Sequence, residues 1–294
     1  MQMPNEYPVP VLGHMNKGFR LTNSQIAKTQ SGGIAVVIHL FYFEEYAFIL
    51  SQLGNIPDSF DLFVTTSHKS ITNKSTMALV PKNVRSVSFK YFDNIGRDIL
   101  PFIQLISEGS LDSYAIVFKL HTKRSPWLDG YTLPVKSKNG REWFLKSVLS
   151  LIGSKSRFQE IQSFLCSQGS GNKMIVPYGS VLNITEFIGG NSAEYQRLLS
   201  HVLVPGKITS EGVFAAGSMY AINSSLVSSI KSLNFESVSQ PDEPIANDGT
   251  FIHAFERAIG FLVSHDIEGL FETGYFEENT EQSVLMCDYA TRNI

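Results

Sequence analysis

Four side chains that can carry positive charge, Lys119, His121, Lys123 and Arg124, crowd into the short stretch "KLHTKRS". They follow "SYAIVF", an apolar run that reads as a buried strand. Side chains alternate along an extended chain, so Lys119, His121 and Lys123 share one face. Lysine brings a point charge and arginine a planar fork, which together suit a phosphate or pyrophosphate. The plainer reading is an ordinary basic exit from a strand. A metal site is a poor fit, because one histidine among cations lacks Cys or Asp partners.

Three further stretches carry chemistry. In "DNIGRD" a strand gives way to a helix start, where backbone N–H groups favour an anion. Arg97 suits a phosphate there, and Asp93 or Asp98 suits ribose hydroxyls or a base edge. The same residues also make a plain helix N-terminus, with Asn94 or Asp98 as cap. In "NDGTFIHAFERAIG" Asp248 precedes a helical run, as a cap or as a carboxylate facing a cleft. His253 and Glu256 lie on that helix, and Glu256 and Arg257 also suit simple surface pairing. In "FAAGSMYAI" Gly217 permits close approach of a sugar or acceptor, or of core backbone. The chain holds no G-x-G-x-x-G loop and no Walker lysine. Spacing assembles no Ser-His-Asp arrangement.

Composition bounds what these residues can serve. The 294 residues carry 24 Lys and Arg against 27 Asp and Glu, a net charge of −3. A broad basic surface for nucleic acid is absent, so any cationic site is local. At 43% hydrophobic residues the chain can fill a sizeable core. Two cysteines far apart, Cys166 and Cys287, form no disulfide framework. No apolar run reaches the roughly 18 to 20 residues of a membrane span. The chain reads as soluble and cytoplasmic, with a peripheral contact at the inner face of the membrane left open.

The elements that must position these groups alternate. "GIAVVIHLF" is a buried strand, and "FEEYAFILSQLGNI" a helix stopped at Gly54. "DSFDLFVTTS" and "NVRSVSFKYF" are strands. "GRDILPFIQLISEG" is a helix starting near Arg97 to Leu100, so that Pro101 falls in its first turn. "SYAIVFKLH" is a fourth strand. This order predicts an α/β fold, a Rossmann-type, mostly parallel sheet flanked by helices. Ligands in such sheets bind beyond the carboxyl ends of the strands. Beyond Trp127, "REWFLKSVLSLIG" and "SRFQEIQSFLCSQ" are helices, "NKMIVPY" a strand and 194–203 a helix. "EGVFAAGSMYAI" is read as one strand, and "INSSLVSSIKSLNF" as a helix capped by Asn223 or Ser224. "EPIANDGTFIHAFERAIGFLV" is a helix running into a last strand. Residues 1–31 are expected to be an arm or leader, 32–265 one catalytic body and 266–294 a C-terminal extension.

"NIGRDILPF", "KLHTKRS", "GSMYAI" and "NDGTFIHAFERAIG" stand in an order and spacing that resemble the rhamnan synthesis protein F family, over roughly 34–264. The resemblance implies a glycosyltransferase of bacterial surface polysaccharide assembly, often one module of a longer protein. The element order also looks like that of GT-A glycosyltransferases. It implies a nucleotide-sugar donor such as dTDP-rhamnose and a glycan or lipid-linked glycan acceptor. The donor-binding set it implies is Asn94, Gly96, Arg97, Asp98, Lys119, His121 and Lys123. Gly217, Ser218 and His253 fall to the acceptor, and Asp248 to the general base of an inverting transfer. Where relatives by fold keep an acidic D-x-D pair for a divalent metal, this chain has Lys119 and His121. Cationic side chains then take over the neutralisation of the leaving group, with no metal or other cofactor. The alternative is a non-catalytic glycan- or nucleotide-binding module. A hydrolase is disfavoured by the lack of a metal cluster or nucleophile.

Overall fold

The computed structural model describes residues 32–69, 80–125, 137, 139–167, 171–202, 208, 212–235, 248–264 and 270–273. Gly33–Leu40 (β1) is an apolar run buried at every position but its first. Phe60–Thr66 (β2) lies parallel on one side of it, and Tyr114–His121 (β4) parallel on the other. Val84–Tyr91 (β3) pairs parallel with β2. The remaining strands of this sheet are Met174–Pro177 (β5), Tyr220–Asn223 (β8) and Leu270–Thr273 (β9). The order is β3-β2-β1-β4-β8-β5-β9, and β8 alone runs antiparallel to its neighbours. The mostly parallel α/β architecture is the one expected from the sequence.

Helices cover both faces. Phe43–Gln52 (α1), Gly140–Ile152 (α3) and Lys155–Leu165 (α4) pack on Val36, Ile38, Phe118 and Leu120. Ile99–Ser107 (α2), Ser192–Leu199 (α6), Ser224–Lys231 (α7) and Phe251–Ser264 (α8) pack on Ala35, Val37 and Val117. Two apolar layers thus sandwich the sheet, which is why the central strands show no polar face. Local signals set several starts. The side chains of Asn139, Ser154 and Asn223 accept from the third residue on, at 2.8, 3.2 and 3.1 Å. Pro101 sits in the first turn of α2, where its missing N–H costs nothing. No helix among the described residues is long and apolar enough to cross a membrane.

Two expectations need correcting. "EGVFAAGSMYAI" is two strands: Val213–Ala215 (β7) pairs with Val181–Asn183 (β6) in a separate ribbon, and β8 joins the main sheet. The break falls where Gly217 and Ser218 both take positive φ, 89° and 57°, the sign of a tight turn rather than a strand. The last strand follows the long helix as expected, but lies at Leu270–Thr273 and pairs with β5. The sheet therefore reaches into the stretch expected as an extension. A short helix, Ile184–Phe187 (α5), and a 3₁₀ turn at Gly189–Asn191 complete the path to α6. Residues 1–31, expected as an arm or leader, and Trp127 and Cys287 lie outside the described residues.

Candidate functional site

The polar groups gather at the carboxyl edge of the central strands. In β4, alternation puts Val117 into the core beneath α2 and α8 and leaves Lys119 and His121 as the next groups on that face. Lys119 is 1% exposed. Its ammonium donates to the Asp98 carboxylate, to Ser218 O at 2.8 Å and to Ser218 Oγ at 3.0 Å. Three donors meet three acceptors, so this buried cation is fully satisfied. The rings of Phe102 and Tyr220 flank it, each centroid 5.5 Å away. Burial pushes Asp98 upward, but His121 when protonated and Lys119 outweigh it and hold the carboxyl well below the usual range.

His121 lies between two acceptors. Nε2 is 2.8 Å from Gly217 O, and Nδ1 is 3.4 Å from the Asp98 carboxylate. Burial nevertheless drives its pKa down to about 3, with Asp98 pulling the other way. Beside it in register is His39 of β1, and beside that Thr65 of β2. His39 Nδ1 meets Thr65 Oγ1 at 3.0 Å, and burial lowers the ring to about 4. Thr122 closes this edge: its hydroxyl accepts from the Phe41 and Tyr42 N–H groups at 2.8 and 2.9 Å.

Lys123 is different. Among the described residues its ammonium has no hydrogen-bond or ion-pair partner, and it sits 3.3 Å from the centroid of the Trp143 ring. A Cβ on Gly217 would lie 2.5 Å from Trp143 Cζ2. The close approach that Gly217 allows is thus taken by the indole, and Lys123 rests on that indole. Burial lowers the Lys123 pKa to about 8, with Glu256 and Asp98 holding it up and Arg97 and Lys119 adding to the fall. Arg97 follows Gly96 in a doubled left-handed turn, with φ of 69° at Gly96 and 53° at Arg97. A non-glycine residue in that region is a site of stored strain. Arg97 is exposed, and its charge is felt by both Lys123 and His253.

The start of α8 forms the opposing wall. Thr250 O accepts from the N–H groups of His253 and Ala254, so Thr250, not Asp248, occupies the cap position. Its hydroxyl meets His253 Nδ1 at 2.8 Å. Burial, then Arg257 and Arg97, lower His253 to about 4. Asp248 is exposed and engaged: Oδ1 accepts from Asn191 Nδ2 at 2.6 Å, and Oδ2 from Gly190 N at 3.2 Å. Asn191 Oδ1 in turn accepts from Gly249 N at 3.0 Å. Burial raises Asp248, but these donors prevail and leave it lowered. Arg257 is buried against the Phe214 ring and donates to Phe187 O at 2.9 and 3.0 Å and to His253 O at 2.8 Å. Glu256 touches it at 3.4 Å.

The expected donor-side residues fall into two groups, with Lys123 apart on Trp143. Asp98, Lys119 and His121 form one buried network together with Ser218 and Gly217, which were expected on the acceptor side. Asn94 and Arg97 are exposed on the turn before α2, and Gly96 is buried in it against Leu100. His253 and Asp248 stand at the start of α8, outside the buried network. Sequence reasoning did not single out His39, which lies near the end of the run read as a buried strand. It also left Glu256 as a surface group, and the contact between Trp143 and Lys123 has no local signal.

The donor chemistry at the end of β4 does not fit a divalent cation. Lys119 and His121 occupy the strand end, and Lys119 already neutralises Asp98. Among the described residues no three His, Cys, Asp or Glu side chains stand close enough to hold a metal ion.

Comparison with known proteins adds to this geometry. The model of the rhamnan synthesis protein F family matches residues 14–267. Two similar curated proteins, each called uncharacterized protein WxcX, come from two strains of Xanthomonas campestris pv. campestris. Each is 27% identical over 240 residues, which is 80% of this chain and 32% of the relative. The chain therefore spans about a third of the length of these relatives.

Proposed function

The chain belongs to the rhamnan synthesis protein F family, and on that premise we propose that it is a glycosyltransferase of bacterial surface polysaccharide synthesis. It moves a sugar, a rhamnose or related deoxyhexose, from a nucleotide-activated donor to a glycan or lipid-linked glycan, with inversion and without a metal. One observation carries this reading: Lys123, on Trp143 just past the carboxyl end of a central parallel strand, is a half-buried cation with no anion partner among the described residues. Cations at that place suit the pyrophosphate of a sugar nucleotide, and a leaving group must be neutralised there by some positive charge.

In this reading Lys123 and Arg97 grip the pyrophosphate. Asn94 and the backbone of the strained Gly96–Arg97 turn offer further donors to it. Lys119, Asp98 and His121 support the grip from beneath, because their hydrogen bonds fix the Gly217–Ser218 turn against which Trp143 packs. His253 and the face of the turn at Ser218 line the acceptor side. Preorganised charge in a water-poor cleft supplies much of the barrier lowering.

The experiment is titration of dTDP, UDP and GDP, with and without divalent metal, followed by turnover of the corresponding sugar nucleotides. Binding and turnover that ignore EDTA support the proposal. Activity that collapses with EDTA and returns with manganese overturns the metal-free mechanism. Nucleotide binding with no transfer across donors and acceptors supports a binding module instead.

A further inference from the structure

Two left-handed turns meet through one buried network. Among the described residues only Arg97, Ser125 and Ser218 are non-glycine residues with positive φ. Two of the three follow a glycine that is also left-handed: Gly96–Arg97 at 69° and 53°, and Gly217–Ser218 at 89° and 57°. The first pair leads into α2 and the second into β8. Strained backbone of this kind persists only where its surroundings over-determine it, and here the two turns share those surroundings. Asp98, next to Arg97, accepts from the Lys119 ammonium. The other two Lys119 protons go to Ser218 O and Ser218 Oγ. His121 makes a second bridge, with Nδ1 3.4 Å from the Asp98 carboxylate and Nε2 2.8 Å from Gly217 O. Asp98, Lys119, His121 and Ser218 are all buried. Water therefore offers no substitute partner when one of these bonds is broken.

We infer that Asp98 and Lys119 are positioning residues that lock the two turns to each other, so that a nucleotide on the first turn and a glycan on the second bind cooperatively. The inference rests on the transferase reading above, which gives the first turn to the donor phosphates and the second to the acceptor. A left-handed non-glycine residue has a less strained alternative, so each turn has two arrangements. A shift at Arg97 displaces Asp98, and Lys119 then follows its carboxylate or loses it. Lys119 in turn carries Ser218 O and Ser218 Oγ. One turn cannot move alone without stranding a buried charge, so the two arrangements change together. Linkage makes the effect reciprocal, each ligand raising the affinity for the other by the same factor. The acceptor side is thus fully formed only when the donor side is occupied.

The test uses the whole chain, with dTDP and octyl α-rhamnoside as probes and calorimetry as the readout. Saturating rhamnoside should tighten dTDP binding about tenfold, and saturating dTDP should tighten rhamnoside binding by the same factor. Asp98→Asn and Lys119→Met should bring that factor close to unity. If neither folds, Ser218→Ala carries the test. Its Oγ is spent on Lys119, so the change removes one bond of the link, and the factor should fall by about threefold or more. Asp61→Asn is the control for a purely structural effect. Asp61 lies near the amino end of β2, where it accepts from Arg85, Ser86 and Tyr114. Its loss weakens the fold away from the link, and the factor should stay. If rhamnoside leaves dTDP affinity unmoved in the unaltered chain, the inference is overturned and the transferase reading stands. A factor retained in every folded network variant, or lost equally in Asp61→Asn, overturns it as well. If the unaltered chain binds none of dTDP, UDP and GDP, the transferase reading falls and the coupling with it.

Discussion

The Lys119 ammonium donates to the Asp98 carboxylate inside the sheet–helix layer, with Ser218 taking the two remaining protons. Removing one partner strands a buried charge, which costs about 3–5 kcal/mol. Lys119→Met and Asp98→Asn should each lower stability by that order in chemical denaturation. The double substitution should cost clearly less than the sum of the two. Additive effects would mean that the pair is not the unit the geometry describes.

Acid should weaken the fold in a defined window. His39, His121 and His253 have folded pKa values lowered by burial to about 4, 3 and 4. The unfolded chain takes up these protons as pH falls through about 6.5, while the folded chain refuses them until about 4. Unfolded protein then binds more protons, so stability rises with pH across this window and falls on acidification. Asp98 acts lower down, since a depressed carboxyl loses its contribution only as pH falls through its folded value. Urea denaturation at pH 7, 6, 5 and 4 should show a steady loss, made shallower by His39→Gln. A flat profile would contradict the burial of these rings.

The fold was largely legible in the sequence, and the site only partly. Runs such as Ile34–Leu40 and Ala115–Leu120 carry the parallel sheet in their own composition, and Pro101 fixes the entry to α2. "EGVFAAGSMYAI" misled because a positive φ at Ser218 leaves no mark on composition. The motif "KLHTKRS" named the correct strand end and the shared face. It could not reveal that Lys119 is spent on Asp98, because that pairing is made by tertiary contact across 21 residues. Glu256 reads as a solvated or paired helix residue, and only the packing of the whole fold leaves its side chain 14% exposed.

Gly217→Ala tests the seat of Trp143. The added Cβ would crowd the indole at 2.5 Å on a backbone with φ of 89°. Strain and overpacking together should cost about 1–3 kcal/mol. Tryptophan fluorescence should shift as the ring moves, and dTDP affinity should fall as Lys123 loses its platform. An unshifted spectrum with full stability would show that the turn relaxes without disturbing the ring.

Nucleotide affinity should fall with alkali. Lys123 titrates near about 8, so its charge is present below that pH and lost above it. Binding of dTDP, followed by calorimetry from pH 6 to 10, should weaken above the pKa. Bound phosphate raises that pKa, so the midpoint should lie somewhat higher. Lys123→Arg keeps its charge throughout and should flatten the curve. A wild-type curve as flat as that of the arginine variant would remove Lys123 from the phosphate site.

Asp248 joins two segments distant in sequence: its carboxylate holds Asn191 Nδ2 at 2.6 Å and Gly190 N at 3.2 Å, just ahead of α8. Asp248→Ala leaves those donors unmatched and should cost about 1–3 kcal/mol. Asp248→Asn keeps one acceptor oxygen and should cost less. Their kinetics separate a clamp from a base. A clamp loses rate through misplacement of the Gly189–Asn191 turn, so Asp248→Asn should keep the acidic limb of its pH–rate profile. If that limb vanishes in Asp248→Asn, the acceptor's proton goes to Asp248, and the engaged carboxylate is the base.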